Sequence, residues 1–165
     1  MVGSTDDDPR GTSADGAQFR PWKRERPNVL ISVMSRRRLD YSHLAGGASQ
    51  VITLEPALET VGNSVIHLFI RVHERNMALS DQAFTFALYY TLPSCDDNRE
   101  FTDASPIDTL AVTSASPSSA PGLVEKEITS PGAYLKLVLT VSQSIAAAGT
   151  LYAELSAAVM LRKHR

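Results

Sequence analysis

Residues 133–142, Ala-Tyr-Leu-Lys-Leu-Val-Leu-Thr-Val-Ser, decide the fold class of this chain. One face of the stretch carries Leu135, Leu137, Leu139 and Val141, and the other carries Tyr134, Lys136 and Thr140. A period of two predicts a β-strand with one face on a core and the other on water or a partner.

The same pattern recurs on both sides of this strand. Apolar runs rich in β-branched residues alternate with clusters of Gly, Pro, Ser, Asp and Asn, which is typical of strands and turns. The predicted strands are 28–34, 49–54, 64–74, 82–92, 108–113, 123–129, 133–142 and 150–162. About eight strands and no clear helix predict an all-β fold. We expect an antiparallel two-sheet β-sandwich, of which the jelly roll is one form.

The last predicted strand has a competing interpretation. Leu151, Leu155 and Val159 are spaced as on one face of a helix, and the segment is rich in alanine. The segment also alternates with a period of two over 150–162. We favour a strand, because a helix would leave strand 133–142 without its sequential neighbour.

The aromatic residues divide into two predicted groups. Phe69, Phe84, Phe86 and Tyr90 are predicted to lie in the core. Tyr89, Tyr134 and Tyr152 fall on the faces opposite the apolar ladders, where an exposed aromatic patch could bind a sugar or another subunit. Three separate surface tyrosines are the alternative.

The charge is distributed unevenly along the chain, although the formal net charge is only −2. Residues 1–19 sum to −3, residues 20–38 to +6, residues 39–161 to −8, and residues 162–165 to +3. Residues 1–27 hold few apolar side chains, so we expect a flexible charged N-terminal arm followed by a sandwich domain over 28–165.

The basic residues on both sides of the acidic domain are candidate contacts to a partner. They are Arg20, Trp22, Lys23, Arg24, Arg26, Arg36, Arg37, Arg38, Arg162, Lys163 and Arg165. We expect them to dock on neighbouring copies of the chain in a homo-oligomer, or on other proteins of a particle. Nucleic acid is an alternative partner, but the acidic run Asp6-Asp7-Asp8 would repel phosphates. A solvated charge run with no partner is the third interpretation.

No pattern in the sequence specifies a reaction. His67 and His73 are six residues apart on one predicted strand, about 20 Å, so they cannot share a metal ion. Cys95 lies beside Asp96 and Asp97, which disfavours a reactive thiolate. Glu125 and Glu127 could suggest a glycosidase pair, but their spacing alone does not support it. Nucleotide-binding fingerprints are absent, and we predict no catalytic residue, metal or cofactor.

The sequence contains no recognisable membrane-spanning or membrane-targeting segment. No run approaches the roughly 20 consecutive apolar residues that a membrane-spanning helix needs. The N-terminus lacks the basic start and apolar stretch of a secretory signal. We therefore expect synthesis in the cytoplasm and no membrane partner.

Residues Ser130–Ser142 and Gly149–Leu155 form a pattern of Pro-Gly, aromatic residue, alternating strand, small-residue turn and second alternating strand. This pattern resembles the closing hairpins of small β-sandwich proteins in phage and virus particles. A basic arm ahead of a sandwich is similar to small icosahedral capsid subunits, although the acidic run at the start departs from that pattern. The resemblance implies a non-enzymatic structural subunit that self-assembles into, or decorates, a virion or other particle. A jelly-roll module that binds carbohydrate or protein is the alternative.

Overall fold

The computed structural model describes residues 28–42, 44, 48–77, 82–93, 100–142 and 151–162. These residues form nine strands and no helix. The strands are β1 (Val29–Asp40), β2 (Ser49–Glu59), β3 (Val65–Met77), β4 (Ala83–Pro93), β5 (Glu100–Thr102), β6 (Asp108–Thr113), β7 (Gly122–Thr129), β8 (Tyr134–Ser142) and β9 (Leu151–Arg162). Within this described part, no helix is long and apolar enough to cross a membrane.

The strands form two antiparallel sheets. One sheet has the order β1-β9-β3-β7, and the other has the order β2-β8-β4-β5, with β6 also paired to β4. With the short β5 set aside, the first strand pairs with the last, the second with the next to last, and so on inward, as β1·β9, β2·β8, β3·β7 and β4·β6. This nested pairing is the jelly roll, so the predicted two-sheet β-sandwich is confirmed.

The core lies between the inner faces of the two sheets. The alternation in β3 places Ile66, Leu68, Ile70 and Val72 inward, and all four are fully buried. From the opposite sheet, β4 contributes Phe84, Phe86 and Leu88, and β8 contributes Leu135, Leu137, Leu139 and Val141. The period of two assigned Leu135, Leu137, Leu139 and Val141 to the core, and the same alternation accounts for the inward faces of β3 and β4, because a half-buried strand sorts its side chains by face.

Residues 151–162 are a strand, which decides between the two interpretations of that segment. β9 lies between β1 and β3, and its residues alternate between buried and half-buried from Leu151 to Leu161. The outward positions carry Ser156 and Ala158, which are small enough to leave an open depression over β9. The alanines therefore serve sheet packing and not a helix.

The strand ends differ from the prediction by more than one residue in β1, β2 and β3, and one strand is extra. β3 continues past residue 74 to Met77, after an irregularity in its pairing between Val72 and Glu74. β1 continues past residue 34 to Asp40, and β2 continues past residue 54 to Glu59. Each extension follows irregularities in the pairing, between Ser32 and Arg37 in β1 and between Thr53 and Leu58 in β2. Such bulges interrupt the period of two, which hides the continuation of the strand from pattern analysis. The three-residue β5 was not predicted.

Two of the four aromatic residues assigned to the core lie elsewhere. Phe69 is on the outer face of β3, where its ring stacks on that of His67 with centroids 5.8 Å apart. Tyr90 is 37% exposed at the end of β4, and its hydroxyl donates a hydrogen bond to the Ser130 carbonyl. Phe84 and Phe86 are fully buried, as predicted.

Of the predicted junction between arm and domain, the structure describes only the domain side. β1 begins at Val29, one residue after the start of the described chain. Residues 1–27 lie outside the described residues, so the division at residue 27 stays a prediction.

Candidate functional site

The predicted contact residues that the structure describes lie on the four-stranded sheet. Arg36, Arg37 and Arg38 are exposed on β1, at one edge of that sheet, and Arg162 is exposed at the end of β9. We call the three residues of β1 the arginine edge. The other predicted contacts lie outside the described residues, namely Arg20, Trp22, Lys23, Arg24, Arg26, Lys163 and Arg165.

Arg36 forms a two-point ion pair with Glu154 of β9. Its Nε and Nη2 atoms each donate to one carboxylate oxygen at 2.8 Å. The hydrogen bond from Arg36 lowers the pKa of Glu154 below its ordinary value of 4.5, and the same bond raises the pKa of Arg36. Planar pairing of this kind fixes the direction of the guanidinium, which remains 63% exposed.

Arg38 is held by an aromatic ring. Its guanidinium carbon lies 3.9 Å from the ring centroid of Tyr152 on β9, in cation–π geometry. The Tyr152 hydroxyl in turn donates a 2.8 Å hydrogen bond to Glu74 of β3, and this bond raises the pKa of Tyr152. Contacts to β9 and, through Tyr152, to β3 therefore hold Arg36 and Arg38 of the arginine edge in place. The sequence did not indicate a role for Glu74 and Glu154, because only the pairing of strands that are distant in sequence brings them next to the arginines.

The opposite edge of the same sheet is acidic. Glu125 and Glu127 are both exposed on the outer face of β7, and we call them the acidic edge. A Glu127 oxygen lies 3.2 Å from His67 Nε2, without the alignment of a hydrogen bond. Lys126 faces the other way and pairs with Asp108 of β6 at 3.1 Å, which ties the two sheets together.

The three tyrosines of the predicted ligand face do not form one patch. Tyr89 and Tyr134 occupy diagonal positions on the outer face of β4 and β8, since Tyr89 pairs with Lys136. Tyr152 lies on the other sheet, under Arg38. The expectation of a single patch was wrong, because period two assigns a side chain to an outer face but not to one of the two sheets.

A concavity of about 450 Å³ lies at the end of the five-stranded sheet. Tyr90, Leu92 and Tyr134 contribute to its lining, and Leu92 is among the most exposed large apolar side chains of the described residues. Tyr90, assigned to the core from sequence, is therefore the aromatic neighbour of Tyr134 at this site.

The histidines of β3 have local partners. His73 Nε2 lies 3.1 Å from the Ser156 hydroxyl, and His67 stacks on Phe69. Within the described ranges, no group of three or more His, Cys, Asp or Glu residues could hold a metal ion. His43 and Cys95 lie outside those ranges.

The ion pair between Arg36 and Glu154 predicts a specific dependence of stability on pH. Because the pKa of Glu154 is lowered in the folded chain, its stabilising contribution is complete above about 4.5 and disappears as the pH falls through the lowered pKa. In thermal unfolding between about pH 6 and pH 3, we expect Glu154→Gln to flatten the acid side of the stability profile.

Glu59→Gln is the matched control for this experiment, since Glu59 is exposed on β2 and has no ion pair among the described residues. It should leave the slope of the acid limb as in the unmodified protein. An identical acid limb in the Glu154→Gln variant would contradict the assignment.

Comparison with known proteins identifies the fold. The sequence matches no known family and no curated protein. The structure resembles that of the infectious bursal disease virus VP2 subviral particle, with a TM-score of 0.52 and 16% identity over 86% of this chain and 33% of that chain.

Two further structures match less well. The structure of infectious bursal disease virus strain Gx gives a TM-score of 0.46, with 17% identity over 84% of this chain and 32% of that one. A Bacillus endospore appendage, described as a disulfide-linked pilus, gives a TM-score of 0.33, with 8% identity over 85% and 94%. Neither score supports an argument. This chain spans about a third of the VP2 chain, and it shares the β-sandwich fold with the part of that chain it covers.

Proposed function

We propose that this chain is a non-enzymatic structural subunit that assembles with copies of itself into a virion or a similar particle. The observation that carries the proposal is the jelly-roll fold shared with the VP2 subviral particle over 86% of the chain. A fold does not determine a function, so the proposal rests on fold analogy combined with the charge distribution.

The charge distribution supports contacts between copies. Residues 39–161 sum to −8, while the basic residues cluster between 20 and 38 and at 162–165. We propose that the arm (residues 1–27) and the basic tail dock on the acidic domain of a neighbouring copy. Such a contact joins two different surfaces, which produces rings, shells or filaments and not a closed dimer. The chain would be made in the cytoplasm and function in the assembled particle.

The test is the solution mass, measured by light scattering behind a sizing column at about 0.05 M and about 0.5 M salt. We expect a species of many subunits at low salt that dissociates at high salt, because screening weakens charge contacts. Nuclease treatment of the assembled species distinguishes contacts between subunits, which survive it, from the alternative in which nucleic acid bridges the arms. A monomer of 17.9 kDa at both salt concentrations would contradict the proposal.

The concavity at Tyr90, Leu92 and Tyr134 favours a second candidate function, the binding of a carbohydrate. Aromatic rings beside an exposed apolar residue suit the apolar face of a sugar. This function predicts a salt-independent monomer that binds glycans on an array and loses that binding in the variant Tyr134→Ala.

A further inference from the structure

The two edges of the four-stranded sheet carry opposite charges. In the sheet order β1-β9-β3-β7, β1 pairs with β9 alone and β7 with β3 alone among the described residues. Each strand therefore has one side of its backbone without a strand partner among the described residues, and another strand can add to the sheet there. The arginine edge lies on β1 and the acidic edge on β7.

Arg36 and Arg38 of the arginine edge are oriented by contacts within the subunit and can still donate to a carboxylate of a partner. The ion pair of Arg36 with Glu154 uses Nε and Nη2 and leaves Nη1 for a second carboxylate. Arg38 lies with its guanidinium carbon 3.9 Å from the centroid of the Tyr152 ring, a contact to the ring face that uses no N–H hydrogen bond. Glu154 and Glu74 sit on the inner strands β9 and β3, so the arginines are the outermost of these charges. Side chains that are already ordered lose little entropy on binding.

The acidic edge complements this arrangement in direction and in spacing. All neighbouring strands of the sheet are antiparallel, so β7 runs antiparallel to β1. A second copy translated along the sheet therefore offers its β7 antiparallel to the β1 of the first. In one register, Arg38 faces Glu125, and Arg36, which lies in the irregular pairing between Met34 and Arg37, comes opposite Glu127. The ion pair of Arg36 with Glu154 and the stack of Arg38 on Tyr152 place both arginines on the outer face, as Glu125 and Glu127 are on β7.

In the same register, the other charged residues of β1 gain no opposite charge from β7. Asp40 would face Leu123, which is 54% exposed on β7. Arg37 would face Lys126 on the inner face, where Asp108 already holds the Lys126 ammonium at 3.1 Å. The attraction therefore comes from the two outer pairs of Arg36 and Arg38.

We propose that the arginine edge of one copy binds the acidic edge of the next copy and continues the four-stranded sheet from subunit to subunit. This inference rests on the proposed function and names one of its contacts. Pairing β1 with β1, or β7 with β7, would bring like charges together, so the charges select the contact between unlike edges. A contact between unlike surfaces repeats along a ring or a filament.

The experiment reverses one charge in the full chain. Glu125→Arg should raise the concentration needed for half-assembly at low salt about tenfold or more. The matched control is Glu59→Arg, the same charge change at an exposed glutamate on β2 of the other sheet, and it should assemble like the unmodified chain.

A charge swap tests the direct pairing. Arg38→Glu alone should also weaken assembly, whereas an equal mixture of the Glu125→Arg and Arg38→Glu chains should restore it, because each edge then finds an opposite charge. Circular dichroism verifies folding of the Arg38→Glu chain, which loses the Tyr152 stack. If that chain does not fold, the comparison of Glu125→Arg with Glu59→Arg decides alone.

The possible outcomes separate this contact from the proposed function. Normal assembly of Glu125→Arg would overturn the contact and leave the structural role standing; β1 would then be an edge whose bulges and charges prevent pairing. Equal weakening by Glu125→Arg and Glu59→Arg would reveal an effect of net charge and would also overturn the contact. A monomeric unmodified chain would overturn both.

Discussion

Phe86→Ala is expected to lower the free energy of unfolding by about 3–5 kcal/mol. Phe86 is fully buried in the middle of β4, the strand that pairs with both β8 and β6. Its cross-strand neighbours are Leu139 and Leu110, on the core face of the five-stranded sheet. Truncation removes the favourable transfer free energy of the buried ring. It also leaves a cavity between the two sheets, and the close packing of the core prevents the cavity from collapsing fully.

Urea unfolding followed by circular dichroism measures this loss. Thr85→Ala is the control, because Thr85 precedes Phe86 on the same strand but lies on the outer face, where it is half-buried. We expect it to cost about 1 kcal/mol or less. Equal losses for the two variants would contradict the assignment of the faces of β4.

The alternation of side chains allowed the fold class and most of the core to be predicted. In β8, in β9 and in β3 as far as Val72, every inward position from the period of two is buried. This succeeds because each of these strands lies inside a sheet, so a core face imposes period two until the pairing becomes irregular, as it does in β3 between Val72 and Glu74. β9 is the clearest case, since its alternation outweighed a strong alanine bias toward helix.

Edges and pairing could not be predicted in the same way. β1 is an edge strand with bulges, and in the sequence its arginines resemble a solvated charge run. In the structure Leu39 is only 4% exposed, so the strand still contacts the core there. Leu39, an apolar residue directly after the three arginines, was the sequence feature that could have indicated the continuation of the strand. Tyr90 follows the core alternation of β4 but is 37% exposed near the end of that strand, with its ring against Gly132, whose φ is +77°. Whether a residue at a core-facing position is buried therefore depends on where the neighbouring strands end.

The candidate site was predictable only residue by residue. The sequence singled out Arg36, Arg38 and Tyr152, but for separate roles, the arginines as basic contacts to a partner and the tyrosine as part of an aromatic face. The antiparallel pairing of β1 with β9 brings them together across more than a hundred residues of chain. Charge sums along a sequence cannot show that Glu125 and Glu127 lie on the opposite edge of the same sheet.

Deletion of residues 1–27 is expected to leave the sandwich folded and to weaken assembly about tenfold or more. The buried residues of the described core begin at Met34, so the deletion removes none of them. The melting temperature should therefore stay within about 2 °C of that of the full chain. Residues 1–27 hold equal numbers of acidic and basic side chains, so the net charge of −2 is unchanged. A loss of assembly would then report the contacts of the arm and not a change in overall repulsion.

Two full-length variants divide the arm by charge. Replacing Arg20, Lys23, Arg24 and Arg26 by Gln removes the basic block, and replacing Asp6, Asp7 and Asp8 by Asn removes the acidic run. If the basic block docks on the acidic domain of a neighbour, only the first variant should reproduce the deletion, and raising the salt should weaken the unmodified chain in the same direction. Assembly of the deleted chain at the full-length concentration would contradict a role for the arm. The contact between the arginine edge and the acidic edge, which uses no residue before Arg36, would then have to hold the particle together without it.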